Sequence, residues 1–328
     1  MKGCERIGVY EKWPKLKGVI ERFNKYQAWV YEDEENIKYT EQSLKEIKLY
    51  IDRCNEDPHK IHVTQYDGIE TLGGYKTEMY LIQALQGHEW LLKLAQWNIY
   101  YQVGLKQKFF WHHKFDSSPT RSRNLESYSV QYAANMMAIT SLLGWKDAVI
   151  QQGCMTIAAL NRGYQLVLEY QDEHRRAQAF MLRLFCDWVG DVSHQWPDYA
   201  YDEPIYEALL QSWRNPNPED LVPCLLAACD RHTWQTGRES SKNFYDFSIP
   251  ALIRVPIEIL FLFRLREWEG LTNPTLDHPL MATPFDKLPE TQPIPELDAL
   301  MQGVLKRARE DWPNYDEVLS IENLKKII

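Results

Sequence analysis

Three side chains in the segment CDWVGDVSHQW have the types and the spacing of a metal site. Asp187, Asp191 and His194 stand at positions i, i+4 and i+7, which fall on one face of an α-helix. Two carboxylates and an imidazole are ligands that divalent metals accept, and such a centre would serve a metal-dependent hydrolase. Gly190 is a natural helix end inside the triplet, and no other predicted helix offers a matching Glu-x-x-His. A solvated polar face is therefore the favoured interpretation, and the hydrolase is the alternative.

Three further polar pairs have residue types suited to chemistry but lack a partner for it. Adjacent helical side chains point about 100° apart and rarely share a metal ion, so His112–His113 indicates a helix end. Arg254 and Glu258 are spaced i, i+4 in an apolar segment, which favours an internally neutralised ion pair. Asp277–His278 has no nucleophile or glycine-rich elbow near it. The sequence also lacks P-loop, GxGxxG, HExxH and GxSxG motifs, so it predicts no catalytic residue and no cofactor.

A run of four acids, Glu32, Asp33, Glu34 and Glu35, is the candidate partner-binding surface. The chain has 46 acidic and 37 basic residues and a formal net charge of −9. An acidic protein repels nucleic acid and anionic membranes and is steered toward cationic partners. The run is interpreted either as the solvated face of a long helix or as a docking face for a basic protein. We expect no nucleic-acid partner and no membrane partner.

These side chains must be positioned by helices, because no segment alternates with period two between turn signals. From Ile249 to Trp268 the chain is apolar nearly all round, which is the composition of a helix covered on most sides by others. Its charged residues make it too polar to span a bilayer. The sequence therefore predicts an all-α fold, a multi-helix bundle or an array of helical hairpins, with a central apolar helix near 250–268.

The polar segment KFDSSPTRSR, residues 114–123, is the predicted division of the chain. We expect an N-terminal helical module over residues 1–115 and a C-terminal module over 124–328, or one continuous helical domain. Residues 1–15 are expected to form a poorly ordered lead-in, and the proline-rich residues 271–295 an extended strap on the surface.

The other segments are predicted as helices joined by short connections. Their expected ranges are one long helix or two nearly collinear helices over 16–54, a connection over 55–74, helical residues 77–108 with a break at Gly87, helices over 124–143, 145–170 and 173–190, a short helix over 204–213, and a last amphipathic helix over 296–311 that closes the chain.

The cysteines lack the paired spacing of a zinc or redox site. They are interpreted as free thiols buried in a reducing compartment. The first residues contain no apolar run of the kind found in secretory signals, which favours the cytoplasm. The six are Cys4, Cys54, Cys154, Cys186, Cys224 and Cys229.

Four segments of the C-terminal third resemble the C-terminal module of the PoNi-type immunity proteins, the polymorphic-nuclease immunity family found beside bacterial toxin genes. The resemblance covers roughly residues 200–285. It is carried by EPIYEALLQSWRNPNPEDLVPCLLAACDRHTW (203–234), FYDF (244–247), PIEILFLFRLREWEGL (256–271) and TLDHPLM (275–281).

This resemblance implies an all-helical cytoplasmic protein, a monomer or homodimer, that binds and neutralises a cognate toxin. In that family the toxin is often a nuclease delivered by a type VI secretion system, and the family has no catalytic residues to transfer. The expected mechanism is occlusion of the toxin by an acidic helical surface. A helical scaffold without a toxin partner is, beside the hydrolase, the remaining alternative.

Overall fold

Helices form all the regular structure of the chain over the residues that the computed structural model describes, 4–31, 34–52, 64–115, 130–162, 175–237 and 243–327. Within these ranges the fold is all-α and has no β-strand, as predicted. None of these helices combines the length and the apolar composition that a membrane span requires. The thirteen described α-helices are α1 (Leu16–Tyr31), α2 (Glu34–Ile51), α3 (Thr64–Leu85), α4 (Leu91–Phe115), α5 (Val130–Leu142), α6 (Lys146–Asn161), α7 (Arg176–Val189), α8 (Pro204–Ser212), α9 (Val222–Trp234), α10 (Ile257–Trp268), α11 (Ala299–Asp311), α12 (Tyr315–Val318) and α13 (Ile321–Ile327).

Helices α3 and α4 form a closely packed hairpin, and two glycines make the close approach possible. A Cβ added to Gly73 on α3 would stand 2.3 Å from the backbone nitrogen of Tyr101. A Cβ added to Gly104 on α4 would stand 2.7 Å from the backbone nitrogen of Glu70. Neither position has room for a side chain, so the helix backbones meet there. The expected connection over 55–74 is wrong from the start of α3 onward, because Gly73 serves helix packing and not a turn.

The remaining helix breaks lie close to their predicted positions. Gly87 separates α3 from α4 and Gly144 separates α5 from α6, with φ of 80° and 75°. Parts of the expected helices over 16–54, 124–143, 145–170 and 173–190 are present as α1, α2, α5, α6 and α7. Most of the linker over 114–123 lies outside the described residues. The division into two modules stays a prediction.

Helix α10 is the buried centre of the fold, as predicted. Every residue from Ile257 to Arg266 is buried, and the helix packs against α5, α7 and α9. It begins later than the predicted Ile249, since Pro250 and Pro256 interrupt the segment. Pro250 opens a separate 3₁₀ turn, and Pro256 occupies the position before the first residue of α10.

Two arginines of α10 enter the core because backbone carbonyls accept their hydrogen bonds. Arg264 donates to the carbonyls of Ser141 and Leu142 at the end of α5, at 2.9 and 3.1 Å. Arg266 donates to the carbonyl of Thr272 at 2.6 Å. Carbonyls in the last turn of a helix lack partners within that helix, so the guanidinium of Arg264 satisfies the end of α5. Burial lowers the pKa of both arginines.

The N-terminal segment from Cys4 to α1 has no helix, yet it is anchored to the C-terminal half of the chain. Arg6 forms an ion pair with Asp230, and the backbone nitrogen of Tyr10 donates to Thr233 Oγ1 at 2.9 Å. The expectation of a poorly ordered lead-in is therefore wrong for residues 4–15. These contacts join residues more than 220 positions apart, which no periodicity in the sequence reveals.

A disulfide between Cys4 and Cys224 joins the same segment to the first turn of α9. The two Cα atoms are 4.6 Å apart. The interpretation of all six cysteines as free thiols is therefore wrong for this pair. The cysteines that remain free among the described residues are Cys154, Cys186 and Cys229.

Replacing Cys4 with serine should lower the free energy of unfolding by about 2–4 kcal/mol, because the disulfide restricts the unfolded chain across a long loop. Urea denaturation of the oxidised protein measures the change. Reductant should shift the wild-type transition by a similar amount and leave the Cys4→Ser transition unchanged. An oxidised wild type whose transition ignores reductant would show that the bond contributes nothing to stability.

The residues between α10 and α11 form the predicted strap. They contain no helix and bury Leu276, Leu280 and Phe285 against the core. The indole of Trp145 donates to the carbonyl of Gln292 at 2.8 Å, which fastens the strap beside α6. The final predicted helix begins at α11, where Asp298 caps it, and two short helices follow it. The expectation that it closes the chain is therefore wrong.

Candidate functional site

The structure assigns Asp187 of the predicted metal site to a structural contact. Its carboxylate accepts a hydrogen bond from the indole nitrogen of Trp213 at 2.7 Å and pairs with the guanidinium of Arg214. These contacts join α7 to the end of α8. Gly190, with φ of 82°, ends α7 directly after Val189, as the sequence predicted. The helical face required by the i, i+4, i+7 spacing therefore stops before its second ligand.

The other two residues of that site have separate partners. A carboxylate oxygen of Asp191 lies 3.2 Å from Nζ of Lys325 on α13. Nδ1 of His194 lies 2.5 Å from the side-chain oxygen of Asn161. Within the described ranges, no group of three or more His, Cys, Asp or Glu side chains is placed to hold a metal ion. The structure does not bring Asp187, Asp191 and His194 together as one site.

The candidate docking run falls where α1 gives way to α2. Glu32 and Asp33 lie outside the described residues, and Glu34 and Glu35 form the start of α2. The docking hypothesis for these four acids stays a prediction.

Several buried charged groups meet at the end of α9, in the sequence DRHT. All four residues, from Asp230 to Thr233, are buried. Asp230 accepts two hydrogen bonds from the guanidinium of Arg6, at 2.6 and 2.8 Å, and one from the backbone nitrogen of Gly8 at 3.0 Å. Nε2 of His278 lies 3.1 Å from the same carboxylate. We call the set of contacts made by residues 230–233 the α9 polar cluster.

The tautomer of His278 follows from its two contacts. The backbone nitrogen of Leu280 donates to Nδ1 at 3.0 Å, so Nε2 must carry the hydrogen that points at Asp230. Burial lowers the pKa of His278, although the contact with Asp230 opposes this shift. Burial alone raises the pKa of Asp230, but Arg6, with the Gly8 amide and His278, lowers it below its ordinary value.

His232 and Glu258 form a second pair, and both side chains are fully buried. Nδ1 of His232 faces the two carboxylate oxygens of Glu258 at 2.9 and 3.1 Å, and Nε2 faces the carbonyl of Leu252 at 3.0 Å. Both ring nitrogens therefore lie within hydrogen-bond distance of oxygen atoms, one on α10 and one in the turn before it. The imidazole ring stacks on Phe247 with centroids 3.8 Å apart.

Arg231 joins two carboxylates from different segments. Its guanidinium donates to Glu203 at 2.5 Å and to Asp246 at 2.7 Å, and it reaches the hydroxyl of Tyr206 at 3.1 Å. Burial alone lowers the pKa of this arginine, but its hydroxyl and carboxylate neighbours outweigh burial and the pKa is raised. Asp246 is fully buried and also accepts a hydrogen bond from the backbone nitrogen of Ala177 at 3.2 Å.

The predicted ion pair of Arg254 with Glu258 is wrong. Glu258 is engaged by His232, as described above. The guanidinium carbon of Arg254 lies 3.9 Å from the centroid of the Trp13 ring, and its Nε donates to the carbonyl of Pro14 at 3.0 Å. The i, i+4 spacing fails because Arg254 precedes the first residue of α10, so the two residues do not share a helical face.

The remaining histidine candidates do not form a site either. His112–His113 lies in the last turn of α4, as predicted, and the ring of His113 is parallel to that of Phe109 with centroids 6.4 Å apart. Asp277 is exposed, whereas His278 belongs to the α9 polar cluster. Asp230 is not among the candidates predicted from the sequence, although four polar residues after CLLAAC in an apolar helix are a usable signal of buried pairing.

The fold is all-α, and the charged residues of the α9 polar cluster pair with other residues of the same protein. Comparisons with models of protein families, with curated proteins and with solved structures find no match.

Proposed function

We propose that this protein is an immunity-type binding protein that neutralises a cognate bacterial toxin by covering it with an acidic helical surface. The observation that carries the proposal is the convergence of the segments that resemble the PoNi-type family. DRHTW contributes Asp230 and His232, PIEILF contributes Glu258, and TLDHPLM contributes His278. They form two buried pairs. A ring nitrogen of His232 lies 2.9 Å from a carboxylate oxygen of Glu258, and a ring nitrogen of His278 lies 3.1 Å from a carboxylate oxygen of Asp230.

The contacts between these segments support a binding role, because residues within the resemblance hold the fold together and do not form a catalytic site. Paired groups that are fully buried cannot meet a substrate, but they fix the relative positions of α9, α10 and the strap. A rigid scaffold reduces the conformational entropy lost on association, which is what a tight inhibitor needs. The net charge of −9 favours attraction to a nuclease, whose groove is built to hold phosphate.

The proposed place of action is the cytoplasm, where a delivered nuclease would meet nucleic acid. Disulfides are rare in that reducing compartment. The disulfide between Cys4 and Cys224 would be an exception there, and we expect to find it intact in protein extracted from that compartment. Thiol counting on protein extracted under rapid acid quenching measures the state of the pair.

Co-expression with the product of the adjacent gene tests the proposal. If this protein is an immunity protein, the neighbouring product kills the host alone and is harmless when the two are expressed together. A toxin that still kills in the presence of this protein, or a neighbour without toxicity, contradicts the proposal. Purified complex of the two chains should form with nanomolar or tighter affinity.

Reversing the charge of the four acids from Glu32 to Glu35 with lysine should slow association with that toxin more than it speeds dissociation. Electrostatic steering acts on the encounter, so the effect should be largest at low salt. Surface plasmon resonance at two ionic strengths measures both rates. We expect an association rate at least about tenfold lower in the low-salt buffer.

A second quadruple variant is the matched control. It reverses four exposed strap acids, Asp277, Asp286, Glu290 and Glu296. Four reversals add eight positive charges, so both variants change the net charge from −9 to −1. Equal slowing in both variants would assign the effect to net charge and not to a docking face at 32–35.

A further inference from the structure

A cavity of about 370 Å³ lies between α4, α6, the end of the strap and the helices α11 and α12. Its volume falls in the range of roughly 300–1,000 Å³ that small-molecule sites occupy. Much of its wall is apolar, with Ile99 and Val103 from α4, Trp145 beside α6, Pro295 from the strap and Leu305 from α11. This combination of size and lining suits the apolar body of a small organic molecule.

One cationic side chain of α4, Lys106, lines this cavity with its bonding capacity unused. Lys106 makes no hydrogen bond or ion pair with the described residues, and it is half-buried. The amide of Gln102, four residues earlier, is buried in the core: Nε2 donates to Thr140 and Gln152 at 3.1 and 2.8 Å, and Oε1 has almost no accessible surface. Lys106 and Gln102 are spaced i, i+4, so they share one face of the helix.

The charges around the cavity leave one cation uncompensated. Arg309 and Asp316 line the same space, but they form a two-pronged ion pair with each other at 2.8 and 3.1 Å. Lys106 is thus the one of these two lining cations that forms no ion pair with a carboxylate of the described residues. Burial lowers the pKa of Lys106, with Asp316 opposing that shift and Arg309 adding to it. A ligand anion would supply the missing charge.

We propose that this cavity binds a small organic anion with an apolar body. The ammonium of Lys106 binds the anionic group. The apolar walls hold the body of the ligand. The site is separate from the α9 polar cluster, and its existence does not depend on the proposed toxin.

Titration with 8-anilinonaphthalene-1-sulfonate tests the site, since this dye carries a sulfonate and an aromatic body, and it fluoresces in apolar surroundings. We expect saturable binding of one dye per chain. Lys106→Met should weaken that binding at least about tenfold, because it removes a charge-assisted hydrogen bond. Lys93→Met, at an exposed position of the same helix, should leave the affinity unchanged.

A neutral probe, N-phenyl-1-naphthylamine, separates an anion site from a merely apolar cavity. It should bind more weakly than the sulfonate dye to the wild type and equally well to wild type and Lys106→Met. Circular dichroism confirms that each variant is folded. Equal affinity of wild type and Lys106→Met for the sulfonate dye, or absence of dye binding to the wild type, would overturn the proposal. So would a crystal structure that places the sulfonate away from Lys106.

Discussion

Replacing Arg231 with methionine should lower the free energy of unfolding by about 3–5 kcal/mol, the loss expected when one partner of a buried ion pair is removed. The guanidinium lies between Glu203 and Asp246, and the side chain of Asp246 has no exposed surface. Methionine has a similar length but no charge, so Asp246 would keep the backbone amide of Ala177 as its hydrogen-bond donor and lose its cation. Urea denaturation followed by circular dichroism measures the loss.

Arg176→Met is the matched control for this experiment. Arg176 also forms a two-pronged ion pair, with Asp202 at 2.5 and 2.7 Å, but 47% of the Asp202 side chain is exposed. Exposed pairs contribute at most about 1 kcal/mol, so this variant should be close to wild type. Similar losses for Arg231→Met and Arg176→Met would show that burial of the α9 polar cluster adds nothing to its strength.

The fold class and its central helix could be predicted because both depend on local composition. A segment that is apolar on every face, such as α10, must be covered by other helices wherever it lies in the chain. Helix ends at Gly87 and Gly190 were equally local signals. Gly73 of the α3–α4 hairpin misled the same reasoning, because a glycine in a helix contact and a glycine in a turn are identical in sequence.

The contacts of the α9 polar cluster could not be predicted from spacing, since its partners are distant along the chain. Arg6 and Asp230 are 224 residues apart, and Asp230 and His278 are 48 apart. The sequence shows that Asp230 is a charged residue in an apolar helix and therefore needs a partner. It does not show which residue that partner is. The same limit explains why Glu258 was paired with Arg254, its neighbour in sequence, in place of His232.

Glu78 on α3 gives the second large effect, a dependence of stability on pH. Its carboxylate is buried and makes no ion pair with the described residues. Burial raises the pKa of Glu78 from 4.5 to about 8. The same carboxylate contributes to the raised pKa of Tyr26, which burial takes to about 12. The folded protein therefore holds a proton on Glu78 at pH values where the unfolded chain has released it.

This difference should reduce the stability of the wild type as the pH rises from about 4.5 to about 8. Each unit of pKa difference corresponds to about 1.4 kcal/mol, so the rise from 4.5 to about 8 corresponds to a full loss of about 5 kcal/mol. Glu78→Gln stays neutral at every pH and should gain most of that amount over the wild type at pH 8 and almost nothing at pH 4.5. Exposed Glu89→Gln should follow the wild-type curve throughout. Urea denaturation at intervals of half a pH unit measures all three proteins. Parallel curves for the wild type and Glu78→Gln would mean that Glu78 is ionised in the folded state at no cost, as a carboxylate paired or hydrated there would be.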